Sequence, residues 1–327
     1  MKHFSLGLAL LLAAASGAAA QTLSSAGLEP DAVVNLSAGY LRAEPDYESP
    51  LETQILMGTP VAVVDSSSYW RKVVTPDYTA WINVLGLAPL PEGYIAAPKY
   101  ICTAEYSHVF AEPSGKAARL SDLVLGDLLR IATDRKGSPL RRKGFCRVLL
   151  PSGAAGWVPR EDLAEFSGWA AGRKPTADNI VATALRFTGI PYLWGGNSVK
   201  GFDCSGLTKL SYFLNGVILP RNASQQVRLG AELDVSRVLD GDFSTLAPGD
   251  LLFFGNRETG RVTHVALYIG GGRIVHSSQV VRVNSLLSTE PDYYENAWKL
   301  LYGRRILGTP DAAPLTGSPW FFPQNNR

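Results

Sequence analysis

A skeleton repeated in the first half of this chain restricts its fold more than any other feature. Arg42-Ala43-Glu44-Pro45 followed by Met57-Gly58-Thr59-Pro60-Val61 returns as Phe110-Ala111-Glu112-Pro113 followed by Leu125-Gly126-Asp127-Leu128-Leu129, with Pro and Gly both displaced by 68 residues. Tyr78-Thr79-Ala80-Trp81-Ile82 matches Ala154-Ala155-Gly156-Trp157-Val158 at an offset of 76, so the second copy carries about eight extra residues, assigned to the stretch from Asp134 to Gly144. One module is therefore built twice. Within each copy short apolar runs such as Pro60 to Val64 and Arg71 to Val74 alternate with turn residues, and no helical period is sustained, which predicts a small all-β barrel.

Two barrels leave much of the chain unspent. With 327 residues, 46% of them hydrophobic, the sequence supplies more than one core and two or three domains are expected. The first twenty residues read as a secretory leader: Lys2 and His3, an apolar run from Leu6 to Ala15, then Gly17-Ala18-Ala19-Ala20. Cleavage after Ala20 puts Gln21, not a lipid-accepting Cys, at the mature start, and no other stretch is long and apolar enough to span a bilayer. The expectation is a secreted or periplasmic protein with no membrane association after cleavage. A formal net charge of +2 gives no reason to expect nucleic acid as a partner. The basic run Arg135, Lys136, Arg141, Arg142 and Lys143 suits either an anionic polymer or a solvated loop.

From Thr176 the pattern changes. Thr176 is placed to cap a helix whose apolar stripe is Ile180, Val181, Ala184 and Leu185, ending before Gly189. Further on, Gly201-Phe202-Asp203-Cys204-Ser205-Gly206 precedes Leu207, Leu210 and Leu214 at helical spacing, which puts Cys204 at a helix N-terminus. A free thiol is only a few per cent ionised at neutral pH, and the unpaired N–H groups of a helix start favour its anion. Activation also needs a base. The second half of the chain holds only two histidines, His264 in a Val-Thr-His-Val-Ala-Leu-Tyr-Ile strand and His276 in Arg-Ile-Val-His, joined through Gly270-Gly271-Gly272. A hairpin there sets the two imidazoles side by side in one register and on opposite faces in the next. One Cys and two His without short ligand spacing argue against a structural zinc site. Cys102 and Cys146, both in the second barrel, are either a disulfide pair or two buried thiols.

Six pieces carry a family resemblance: Pro191-Tyr192-Leu193-Trp194-Gly195-Gly196, Asp203-Cys204-Ser205-Gly206, Leu219-Pro220-Arg221, Leu246-Ala247-Pro248-Gly249-Asp250-Leu251, His264-Val265-Ala266-Leu267-Tyr268 and His276-Ser277. In this order they resemble the NlpC family of papain-like cell-wall cysteine peptidases, while the two β modules resemble bacterial SH3-like domains. The resemblance implies a multidomain chain: SH3-like barrels at 31–92 and 100–166, an α+β papain-like peptidase domain at 170–307, and a Pro-rich tail at 308–327. It implies Cys204 as nucleophile, His264 as the proton shuttle, His276 as the group orienting it, and Tyr192 with the Cys204 N–H as oxyanion donors, with Trp194, Asp203 and Ser205 lining the cleft. No cofactor is implied. The partner is a murein peptide or peptidoglycan.

Two barrels before one such domain resemble, more narrowly, the γ-D-glutamyl-L-diamino acid endopeptidases, in which the first barrel closes the cleft and anchors a free amine. Tyr78, with Glu48 or Glu52 as the carboxylate, are the candidates for that role. Asn222 stands where an Asp is expected, which removes a second acidic contact to the amine. Alternatives are an endopeptidase acting on the intact wall, or a wall-binding protein without activity.

Overall fold

A computed structural model describes residues 27–324; the leader read into residues 1–20 lies outside them. Seven short strands, from Ala32–Val34 to Leu87–Pro89, form one antiparallel sheet. Its inward side chains, among them Val34, Leu41, Ile55, Val61, Val73, Ala80 and Ile82, pack on one another, so the sheet encloses its own core. A second antiparallel sheet of eight strands runs from Lys99–Cys102 to Leu163–Glu165, with Val109, Leu123, Leu129, Val148 and Val158 in a separate core. The extra residues of this copy form a spur, where Arg141–Arg142 pair with Phe145–Leu149 and Thr133 bridges Pro139.

The disulfide considered for Cys102 and Cys146 is not formed: both thiols are free and buried. The strand Leu128–Ile131 pairs with both of their strands and so stands between them. Two inter-strand steps of about 4.8 Å each exceed the reach of a bridge. Both cysteines instead fill the second core as small apolar groups.

The two sheets interlock. Met57, from a turn of the first, sits in the core of the second, where its N–H donates to the buried Asp127 carboxylate at 3.0 Å. Gly58 allows this approach: φ is +79°, and a Cβ there would lie 2.2 Å from the Leu128 carbonyl oxygen.

After the second sheet come helices α1 (Phe166–Ala171), α2 (Ala177–Arg186), α3 (Cys204–Phe213) and α4 (Ala223–Gln226). Thr176 caps α2 by accepting from the Asn179 N–H at 3.3 Å. The short α1 has no sequence stripe to announce it; Phe166 stacks on Phe322 of the C-terminal tail at 5.0 Å, so tertiary contact sustains it. The neighbouring Trp320 packs on Ala62 and Val74 of the first sheet.

The last sheet is antiparallel, with strands β1 (Ala231–Leu233), β2 (Leu251–Gly255), β3 (Val262–Gly270), β4 (Arg273–Ser278), β5 (Val280–Ser285) and β6 (Leu300–Arg305) in the order β1-β6-β2-β3-β4-β5. Period-two alternation splits its faces. Leu251, Phe253, Val265, Leu267 and Val275 meet Ile180, Ala184, Leu207 and Leu210 of α2 and α3, while Leu252, Phe254, Ala266, Tyr268 and Ile274 face the loops carrying Val238 and Tyr294. Among the described residues no helix is long and apolar enough to cross a membrane.

Candidate active site

Cys204 is the first residue of α3. Its neighbour Asp203 is the N-cap, extended at φ −91° and accepting from the Gly206 N–H at 2.7 Å, which fixes where the helix starts. Gly206 is required by space, since a Cβ would lie 2.0 Å from the Gly196 carbonyl oxygen. The helix start and the 195–196 loop are therefore in backbone contact.

The register left open by the sequence resolves in favour of one face. Leu267 pairs with Val275 and Tyr268 with Ile274 across β3 and β4, with an irregularity next to Gly270. This leaves His276 opposite Ala266, two residues from His264, and His264 Nε2 lies 2.8 Å from His276 Nδ1. The chain of partners continues. His276 Nε2 lies 3.0 Å from Asn284 Oδ1, and Asn284 Nδ2 donates to the Asp292 carbonyl at 2.7 Å.

That outer contact sets every proton inward. Asn284 spends its NH₂ on Asp292 and presents only an acceptor to His276, so His276 carries its proton on Nε2 and offers a lone pair at Nδ1. His264 then donates from Nε2, and its Nδ1 is left as a free base. Tyr294 packs on both rings, 5.7 Å from His264 and 4.6 Å from His276 by centroid.

The Cys204 thiol lies against the backbone N–H of Val265, next to His264. Tyr192, 36% exposed, and Trp194, 67% exposed, stand on the segment before the Cys204 helix. Asp203 and Ser205 lie beneath the surface: Arg221, 1% exposed, forms an ion pair with Asp203 and donates to Ser205 Oγ at 2.9 Å. Arg221 Nε also donates to Thr53 Oγ1 of the first sheet at 2.6 Å.

Thr53 is part of a wall. The Gln54 N–H donates to the Gly195 carbonyl at 2.8 Å, and Gln54 Oε1 accepts from the Asn197 N–H at 3.0 Å. Next to them the Tyr78 hydroxyl donates to Glu52, and the same hydroxyl has Asn222 and Arg221 as neighbours. Asn222 caps α4 reciprocally with Gln225. Of the predicted residues, Tyr78 and Glu52 thus meet the segment next to the Cys204 helix, whereas Glu48 lies exposed in a turn, its N–H held by Asp46.

Comparison with known proteins fits this geometry. Residues 189–301 match the model of the NlpC/P60 family, and residues 41–87 that of the bacterial dipeptidyl-peptidase Sh3 domain. A γ-D-glutamyl-L-lysine dipeptidyl-peptidase of Bacillus cereus is 32% identical over 258 residues, 75% of this chain and 73% of the relative. The chain belongs to the NlpC/P60 family. Dipeptidyl-peptidase 6 of Lysinibacillus sphaericus is 29% identical, over 81% of this chain and 95% of that protein. The crystal structure of an NlpC/P60 family protein from Bacillus cereus superposes with a TM-score of 0.70 at 27% identity, covering 85% of this chain and 99% of that one.

In this NlpC/P60 chain the surroundings of Cys204 oppose the thiolate that a helix start favours. Burial, then the Asp203 carboxylate, push the Cys204 thiol up to about 11, against the pull of the Val265 N–H and Arg221. Burial and the facing His276 push His264 down to about 3. Desolvation thus opposes the charged form of both groups. The sequence reading missed Asn284 and Tyr294 and quoted Arg221 without a role. A polar residue at a buried position of the alternating strand Val281-Arg282-Val283-Asn284 is the one available signal for Asn284, which is 8% exposed.

Proposed function

We propose that this chain is an exported cysteine endopeptidase that hydrolyses the γ-D-glutamyl-L-diamino acid bond of murein peptides released with a free N-terminal L-alanine. In this reading residues 31–92 and 100–166 are two SH3-like domains, 170–307 is a papain-like peptidase domain, 308–327 is a Pro-rich tail whose Trp320, Phe321 and Phe322 pack across the joint, and 1–20 is a cleaved leader.

Cys204 attacks the scissile carbonyl while its proton moves to His264 Nδ1; the S–C bond forms as S–H breaks. The Cys204 N–H and the Tyr192 hydroxyl hold the oxyanion. His264, now protonated on both nitrogens, stays hydrogen-bonded to His276 and returns a proton to the departing amine as the C–N bond breaks. Water then hydrolyses the thioester by the same relay, and the thiol is restored.

One observation carries the choice of substrate. The first sheet brings Tyr78 and Glu52 to Asn222 and Arg221, which closes the cleft at that end and leaves a carboxylate there for an ammonium group. A closed end admits a peptide terminus and excludes polymer. The deciding experiment digests L-Ala-γ-D-Glu-diaminopimelate, its N-acetylated form and intact sacculi with wild type and Cys204→Ala. The expected result is release of L-Ala-D-Glu from the free peptide only, lost in Cys204→Ala. Cleavage of sacculi or the blocked peptide makes it a wall endopeptidase, and absence of Cys204-dependent cleavage leaves a binding protein.

A further inference from the structure

Strand β5 turns two polar side chains to the face that carries the histidine pair, and only one of them has a partner. Asn284 holds His276. Arg282 lies directly opposite His276 across β4 and β5, and directly opposed residues share a face of the sheet. Its side chain is half-buried, and its Nε is buried without a hydrogen-bond partner. Among the described residues no carboxylate pairs with it: Asp292 is held by Arg273, and Glu295, exposed next to Tyr294, forms no ion pair. A buried donor left unpaired costs free energy that nothing in the chain offsets.

Tyr294 supplies a second unpaired donor at the same corner. Its ring packs on both imidazoles, and its hydroxyl has no hydrogen-bond partner among the described residues. Burial, then Cys204, push this phenol up to about 12 against the pull of Arg282, so at neutral pH it is an O–H donor within the field of both nucleophile and guanidinium. The same guanidinium adds to the burial that holds His276 down to about 4. One residue before Arg282, the Val281 N–H donates to the Ile190 carbonyl at 2.8 Å, two residues from Tyr192. A planar cation and a neutral hydroxyl thus flank the histidine pair, and together they are the donors a carboxylate takes.

The substrate of the reading above, on which this inference rests, has two such groups within a few bonds of the scissile carbon: the α-carboxylate of D-Glu and that of the diamino acid. We propose that Arg282 and Tyr294 form a clamp for a substrate carboxylate beside the scissile bond. The test compares wild type, Arg282→Gln and Tyr294→Phe on three peptides. These are L-Ala-γ-D-Glu-L-Lys, the same peptide with the D-Glu α-carboxylate amidated, and the same peptide with the Lys carboxylate amidated. Arg282→Gln breaks no hydrogen bond in the chain, and Tyr294→Phe keeps the ring against the imidazoles.

Loss of a charge-assisted contact predicts a drop in kcat/KM of about ten- to a hundredfold for Arg282→Gln on the parent peptide, and a smaller drop for Tyr294→Phe. Both drops are expected to vanish on one of the two amides, which has already lost the charge that the clamp holds, and that amide identifies the carboxylate. An equal drop on all three peptides overturns the proposal, because it assigns the two residues to the histidine pair or to the fold. So does no drop on the parent. The same comparison is repeated as dissociation constants in a Cys204→Ala background. If wild type cleaves none of the peptides the peptidase reading fails, while the dissociation constants still decide the clamp; absence of binding there overturns it as well.

Discussion

Replacing Arg221 by Met removes the cation that pairs with Asp203. The guanidinium is 1% exposed and serves Asp203, Ser205, the Gly196 carbonyl and Thr53, so its loss strips four acceptors at once. The dominant cost is electrostatic. Asp203 keeps the Gly195 and Gly206 N–H groups but loses its counter-charge in a site where its side chain is 12% exposed. Breaking a buried pair from one side costs about 3–5 kcal/mol, on the order of a 10 °C fall in Tm for a domain of this class. Urea unfolding followed by tryptophan fluorescence measures it. The discriminating control is the double variant Arg221→Met with Asp203→Asn, in which the amide still caps α3 but carries no charge. It is expected to recover at least half of the loss. If the double variant is no more stable than Arg221→Met alone, the stranded carboxylate is not the cause and the reasoning fails.

Three further outcomes follow from the site. Asn284→Ala frees the tautomer of His276 and is expected to lower kcat on the order of tenfold to a hundredfold with KM unchanged; an equal rise in KM would assign Asn284 to substrate binding instead. Stability should fall as pH drops below about 6.5. Burial holds His264 and His276 down to about 3 and about 4, so the unfolded chain takes up protons that the native one refuses, and stability present above 6.5 is lost toward those values. Urea midpoints at pH 7.5 and 5.0 read this, and His264→Gln should flatten the slope; an unchanged slope refutes the attribution. Finally, denatured without reductant, the chain should titrate three thiols, and any value near one restores the disulfide.

The fold was legible where local pattern decides it. The repeated skeleton with its Gly-Trp-Val and Ala-Trp-Ile segments and the capped stripe after Thr176 are local signals, and each element appears where its period puts it. The Cys204 helix start was legible for the same reason: Asp203 and Gly206 encode it within four residues. What lay beyond reach depends on distant contacts. The hairpin register turns on an irregularity at Gly270 that alternation cannot anticipate, and α1 exists because Phe322 reaches it from the far end of the chain. The upward push of burial on the Cys204 thiol was also hidden, because the helix-start argument counts a favourable field and leaves out desolvation. Glu48 and Glu52 are four residues apart and equal as carboxylates in the sequence; only the strand that begins at Leu51 separates an exposed turn from the wall beside Tyr78.

Trp320, Phe321 and Phe322 give the molecule a temporal property. Synthesis runs from the amino end, so the sheet bearing Tyr78 and Glu52 leaves the ribosome long before Cys204, and the aromatic clasp that ties it to Phe166 and Phe213 leaves after both. Before those side chains close, the Thr53 and Gln54 contacts already set the wall beside the thiol, so the clasp braces a distance that exists. A product shortened ahead of Trp320 therefore keeps its ruler and loses the apolar brace behind it.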